Sequence, residues 1–358
     1  MSAEWFKIPR VKSRLAGTMA LACALFALTV GAACADAPPG PRLALTAFGA
    51  DRLELLSIDP SGSQEQRIAG GGRSVRPLPI PFGRPSWSAD GSLIAFSAFE
   101  RKLKDRQVAI YIADADGSSP RKIPGTREGF IPTLSPDGRT LAFARERQRE
   151  GRRPGRGEVT VFHSASIWVV DLVTGASRQI TPWRNRLLQL PSSFSPDGST
   201  LAVSKRVGET RLAVALRLDG SGSAVIARRT VDPVYSPDGT RVALITTGRT
   251  RSFPGGGGAW FPTEIAVANA DGSGLTRLTK TPRGLEVEPS WDPSGQRLAY
   301  TQFRASNSEE SFLGFGDSIM QINADGSCRT KVLSDTDLSL YGAVWQPGPG
   351  REAGRIAC

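Results

Sequence analysis

A four-residue turn, Ser135-Pro136-Asp137-Gly138, returns unchanged as Ser195-Pro196-Asp197-Gly198 and Ser236-Pro237-Asp238-Gly239. Looser copies are Ser88-Ala89-Asp90-Gly91 and Asp292-Pro293-Ser294-Gly295, and Gln346-Pro347-Gly348 reads as a worn last copy. Each residue type has a local reason to be there: proline presets its φ, aspartate accepts backbone N–H groups, and glycine supplies positive φ. A short apolar run follows each turn, as in Leu141-Ala142-Phe143-Ala144 and Leu298-Ala299-Tyr300-Thr301. Turn-plus-strand units repeated every roughly 40–60 residues confine the chain to a repeat architecture.

A second element follows each such strand. It is an apolar strand ending in a polar turn, as in Ile110 to Gly117, Ile167 to Gly175, Ile265 to Gly272 and Ile319 to Gly326. Asp-Gly tolerates the backbone that tight hairpins need. Each repeat therefore reads as four short strands: A runs into the Ser-Pro-Asp-Gly turn, B follows it, C ends at the Asp-Gly turn, and D is a short polar piece. Six copies predict an all-β, six-bladed β-propeller of four-stranded blades over 42–346. The first strand has no A strand before it, and Gly342 to Trp345 is an A strand with no B strand after it. Pairing the N-terminal strands with this C-terminal strand would close the ring and remove an open sheet edge.

The composite pattern, W-S-P-D-G, then L-A-F-x-S, then I-x-V-x-D-A-D-G-S, then R-x-L-T, resembles the TolB-type, WD-like propeller repeat and covers nearly all of 42–346. TolB also carries an N-terminal α/β domain, and the few residues before the first strand imply a propeller-only form here. The resemblance implies a periplasmic or secreted bacterial propeller that binds partners and performs no chemistry.

The N-terminus predicts export. Lys7, Arg10, Lys12 and Arg14 precede an apolar stretch from Leu15 to Val30, and Ala33-Cys34-Ala35 fits a cleavage site. Residues 1–35 read as a signal peptide, with an uncleaved membrane anchor or a lipoprotein signal at Cys34 as alternatives. Residues 36–41 form a proline-rich linker and 347–358 a C-terminal tail. Export permits a disulfide, and Cys328 and Cys358 are the pair expected to form it, against the alternative of two free thiols. The net charge is +11, and much of the excess sits in Arg145 to Arg156. That run reads as a solvated loop, so neither nucleic acid nor a membrane surface is the expected partner, apart from the N-terminus itself.

Two strand connections, B–C and D–A, belong on one face of a propeller. The long segments 99–107, 145–166, 247–263, 303–317, 69–84 and 181–190 all fall there, and loops on a rigid scaffold are where binding concentrates. They carry Phe162, His163, Trp183, Arg184, Arg186, Arg249, Arg251, Trp260, Phe261 and Arg283, whose aromatic and arginine content suits a protein or glycan partner in the envelope or outside the cell. The protein is expected to be monomeric. The turn residues Asp90, Asp137, Asp197, Asp238, Gly138, Gly198 and Gly239 are expected to be structural, although aspartates of this kind can also bind calcium. With one histidine in the chain and no Gly-x-Ser-x-Gly elbow, neither a catalytic triad nor a histidine-rich metal site is predicted, and no cofactor is expected. The alternative is a propeller hydrolase or lyase using the carboxylates Asp232, Glu286 or Glu288 in the central channel.

Overall fold

The computed structural model describes residues 40–49, 53–70, 75–77, 84–100, 108–152, 159–184, 187–219, 221–248, 251–252, 259–260, 262–281, 284–304, 318–335, 338–351 and 353–358. The expected signal peptide lies outside them. Every regular element among them is a strand.

β1 (Leu43–Phe48), β2 (Leu53–Ile58) and β3 (Gln66–Gly70) form an antiparallel sheet. β4 (Val75–Pro77) and β5 (Ser86–Trp87) both pair with β6 (Leu93–Glu100), which continues to β7 (Val108–Asp114) and β8 (Arg121–Lys122) in a five-stranded sheet. Two four-stranded sheets follow. One holds β9 (Gly129–Leu134), β10 (Thr140–Arg152), β11 (Val159–Asp171) and β12 (Ser177–Gln179). The other holds β13 (Leu187–Phe194), β14 (Thr200–Val207), β15 (Thr210–Arg217) and β16 (Ser223–Arg228).

The next stretch departs from the expectation. β17 (Thr230–Tyr235), β18 (Arg241–Thr247), a two-stranded ribbon of β19 (Arg251–Ser252) and β20 (Ala259–Trp260), β21 (Thr263–Asn269) and β22 (Thr276–Arg277) are followed by β23 (Gly284–Trp291), β24 (Arg297–Arg304), β25 (Ser318–Asn323) and β26 (Thr330–Ser334). Apart from the ribbon, these join into one eight-stranded sheet, because β21 and β23 meet in a parallel bridge at Thr263 and Leu285. The Thr263 hydroxyl accepts the Glu286 N–H at 2.8 Å, which draws the start of β23 onto the start of β21. The six separate four-stranded blades expected from the repeat are thus corrected. Four sheets are blade-sized, three of four strands and one of five, and the remainder is a continuous eight-stranded sheet.

β27 (Ser339–Trp345) pairs with β1, from Leu43 opposite Trp345 to Phe48 opposite Ser339, and completes the first sheet. Buried clusters between neighbouring sheets carry the closure round the ring. Ala44 and Leu55 pack with Trp87, Ile94 and Phe96 on one side, while Leu43, Leu45 and Leu56 pack with Ala299 and Ile319 on the other. Sheets packed on both faces bury side chains of either parity, so strands such as LELLSI show no polar alternation.

The turns are tied alike. Ser88, Ser135, Ser195 and Ser236 each donate a hydroxyl bond of 2.5 Å to Asp90, Asp137, Asp197 and Asp238. Each aspartate also accepts the N–H two residues on, at 3.0–3.1 Å. The serine bond is the first reason these carboxyls sit below the ordinary aspartate range. The glycines of the two turn classes differ. Gly138 (φ +67°) faces open space, whereas a Cβ on Gly117 (φ +80°) would strike the carbonyl of Ile68 in the neighbouring sheet. Gly138→Ala is expected to cost about 1 kcal/mol, the left-handed backbone penalty alone. Gly117→Ala must also push two sheets apart and is expected to cost about 2–4 kcal/mol. Urea midpoints of the two variants check the difference.

The segment 145–166, expected as a loop, is a hairpin. β10 and β11 stay in register over 13 residues each, from Thr140 opposite Asp171 to Arg152 opposite Val159. Arg145 leans on Trp168, its guanidinium 4.2 Å from the ring centroid, and bonds the Gly125 carbonyl at 2.5 Å.

Cys328 and Cys358 are joined by a disulfide with Cα atoms 5.2 Å apart. The tail between them docks on variant turn residues. Buried Asp292, standing where other copies have serine, accepts the Gly354 N–H at 3.1 Å, and Arg297 donates to the Ala353 and Gly354 carbonyls. Asn323 pairs with both backbone groups of Ile356, at 2.7 and 3.0 Å. Gln346, in the worn copy, reaches across to the Gly91 carbonyl at 2.6 Å.

Candidate functional site

One position of the repeat builds a ring. Four residues before the first residue of each turn stand Arg84, Ile131, Pro191, Asp232, Glu288 and Gly342. Proline follows four of them, namely Arg84, Ile131, Asp232 and Glu288. In β9, β13, β17, β23 and β27 the pairing to the next strand slips at or beside this position. Ile131, Asp232, Glu288 and Gly342 have φ of +51°, +52°, +58° and +64°. A bulge leaves a residue outside the ladder and re-aims its side chain. Left-handed backbone at a β-branched isoleucine and at two carboxylates is the kind of strain that marks sites.

Five of the six residues line a cavity of about 380 Å³. Its walls include Leu188, Leu190, Val231, Val287 and Phe303, and Lys205, Arg206 and Arg211 also line it. These are starts of A strands and ends of B strands, so the cavity opens toward the D–A and B–C connections. Arg84 and Ile131 are shared with a second cavity of about 140 Å³, lined also by Trp87, Trp345 and Pro347. Arg84, 8 % exposed, crosses the channel. It donates to Asp232 at 2.9 Å and to the Pro289 carbonyl at 2.8 Å.

Glu288 is the most perturbed carboxyl of the ring. It accepts the Gly342 N–H at 2.6 Å, and Thr301 lies at 3.4 Å. Surrounding protein encloses it, although part of its surface faces the channel. Desolvation, with the charge of Asp232 behind it, pushes it up to about 7 against the pull of Arg84. A carboxyl raised in the fold contributes stability that is complete below its unfolded value near 4.5 and is lost as pH rises through about 7. Stability is therefore expected to fall between pH 5 and 8 by on the order of 2–3 kcal/mol, and Glu288→Gln to flatten that slope. Denaturant midpoints across the range measure it.

Glu286, two residues away and fully buried, is a different object. Thr279, Thr281, Gln302 and Arg329 all donate to it, the last at 3.1 Å, and it has no place in the cavity lining.

Among the residues expected to bind, Trp183 is half-buried and Arg184 exposed after β12, and neither lines the cavity. Phe162 and His163 sit in β11 opposite Arg149 and Gln148, and Arg251 opposes Trp260 in the β19–β20 ribbon. Arg186, Arg249, Phe261 and Arg283 lie outside the described residues. Arg84 and Ile131, which the sequence reading passed over, were marked by their fixed distance from the turn. Among the described residues no cluster of histidine, cysteine, aspartate or glutamate could hold a metal ion.

Strand pairing, ring closure and a bulge-lined channel define a β-propeller with a central cavity. No family model matches the chain. It is 23 % identical to the Tol-Pal system protein TolB of Francisella tularensis over 82 % of its own length and 59 % of that protein's. It is 27 % identical to a TolB homolog of Chlorobium luteolum over 71 % of its length and 50 % of the other's. The chain thus spans between half and three-fifths of the length of these relatives. The crystal structure of TolB from Acinetobacter baumannii superposes with a TM-score of 0.63 at 20 % identity, covering 86 % of this chain and 67 % of that one. The propeller is similar in fold to that of TolB.

Proposed function

We propose that this chain is an exported, non-catalytic propeller that binds a protein or glycan partner of the cell envelope through the face bearing the B–C and D–A connections. On this reading residues 1–35 direct export, and the location is periplasmic or extracellular. The observation that carries it is the apolar cavity of about 380 Å³ opening on that face. Largely apolar recesses with a few convergent polar groups are where ligands anchor. The names of the relatives point the same way, since the Francisella protein is described as part of a Tol-Pal system. The exposed Arg184 would extend the contact beyond the cavity. The catalytic alternative would use Asp232, Glu286 or Glu288; of these Asp232 is tied to Arg84 and Glu286 has no place in the cavity lining.

The test is capture of partners from envelope extracts by the purified protein, by Leu190→Glu in the cavity wall, and by Thr240→Ala at a turn on the opposite face. Loss with Leu190→Glu alone supports the reading. Retention of every partner by Leu190→Glu overturns it.

A further inference from the structure

We propose that the channel ring Arg84, Asp232 and Glu288 receives one cationic side chain, a lysine or arginine presented by a protein partner, with its alkyl stem along the apolar wall. This rests on the channel face being the binding face and names what the cavity selects.

The ring holds two carboxyl groups against one guanidinium. Arg84 is committed twice, to Asp232 and to the Pro289 carbonyl, and it bridges the channel rather than filling it. Asp232 is held from behind as well, its N–H donating to Ser204 at 2.7 Å. The charges that act on Glu288 are Asp232 and Arg84, which oppose one another. A second negative charge beside an apolar cavity can be met in two ways, by a proton or by a cation that a ligand brings. Leu188, Leu190 and Val231 offer the stem of a lysine the apolar lining that a long cationic side chain uses on its way to a charged partner. Lys205 and Arg211 are half-buried and Arg206 is exposed, and none of the three is among the charges that act on Glu288. They favour acidic residues on either side of the inserted cation.

The pH dependence follows from the groups that face Glu288. Asp232 from β17 and Arg84 from the segment before β5 act on it directly, and Lys205 and Arg206 from β14, Arg211 from β15 and Tyr341 from β27 line the same cavity. Glu288, pushed up to about 7 by burial and the charge of Asp232, exchanges its proton across pH 6 to 8. A cation that binds the carboxylate form releases the Glu288 proton to solvent, so its affinity rises with pH across that interval.

The probe is the peptide acetyl-Ala-Lys-Ala-amide against the same peptide with norleucine, which keeps the stem and removes the charge. Calorimetric titration of the full chain at pH 8 is expected to favour lysine by about tenfold, and less at pH 6. Glu288→Gln is expected to erase the preference. Adding Asp232→Asn is expected to invert it, because Arg84 then stands unpaired. Near-ultraviolet circular dichroism confirms that both variants are folded. Equal affinities for the two peptides, no binding of either up to about 10 mM, or a lysine preference that survives Glu288→Gln each overturn the inference. A partner that is lost with Leu190→Glu but kept unchanged by Glu288→Gln leaves the binding face standing and sinks the cation. A partner kept by Leu190→Glu sinks the face itself.

Discussion

Glu286→Ala is expected to lower the stability of the propeller by about 3–5 kcal/mol, the cost of breaking a buried pair from one side. The carboxylate is fully buried and gathers Thr279, Thr281, Gln302 and Arg329 around it. Removing it strands the Arg329 guanidinium against the tyrosine ring of Tyr300, which lies 5.8 Å from it. It also loosens the turn that brings Thr263 and Leu285 together, so the eight-stranded sheet should lose cooperativity. Glu286→Gln retains a hydrogen-bonding head of the same shape and should cost less than half as much. Urea unfolding of both variants, followed by tryptophan fluorescence, tests this. Equal and small losses would show that the network is dispensable.

The second large effect is expected at the disulfide. Cys328 and Cys358 are 30 residues apart, and the enclosed loop contains β26 and the ring-closing β27. Chain-entropy arithmetic for a loop of that length gives about 3–4 kcal/mol. Replacing both cysteines by serine should lower the denaturation midpoint accordingly and make it indifferent to added thiol, while the unaltered protein should shift toward the variant on reduction. A loss under about 1 kcal/mol would mean that the bonds from Asp292, Arg297 and Asn323 hold the tail alone.

The propeller was legible because its punctuation is chemical: a residue that must accept an N–H, a residue that must take positive φ, and apolar runs between them. The number of separate sheets was not, because the Thr263–Leu285 bridge depends on a side-chain bond to Thr263 that no alternation reveals. The β10–β11 hairpin was misread as a loop because its strands carry charge. Arg145, Arg147 and Arg149 alternate with Glu146 and Glu150, a pattern that suits a solvated ribbon as well as a solvated coil. The two irregular turns looked like decay. In the fold, Asp292 and Gln346 are the residues that grip the tail and the Gly91 carbonyl. Asp232 and Glu288 were legible as channel carboxylates, but Arg84 and Ile131 escaped notice for a related reason. A bulge breaks the two-residue period of a strand, so its outward-turned residue gives no periodic signal and shows only as a constant offset from the turn.

The pairing of β27 with β1 also sets an order of events. Leu43 and Trp345 stand side by side in the finished sheet but are among the most distant residues of the propeller along the chain. Bringing them together carries the largest loop-closure penalty in the molecule, and contacts of such separation form slowly. A nascent chain can assemble its middle sheets, but it remains an open crescent with a bare edge on β1 until its last strand is available. The clasp that makes the ring is therefore also its slowest step. Anything that delays the strand from Ser339 to Trp345 leaves the β1 edge ready to pair with another copy.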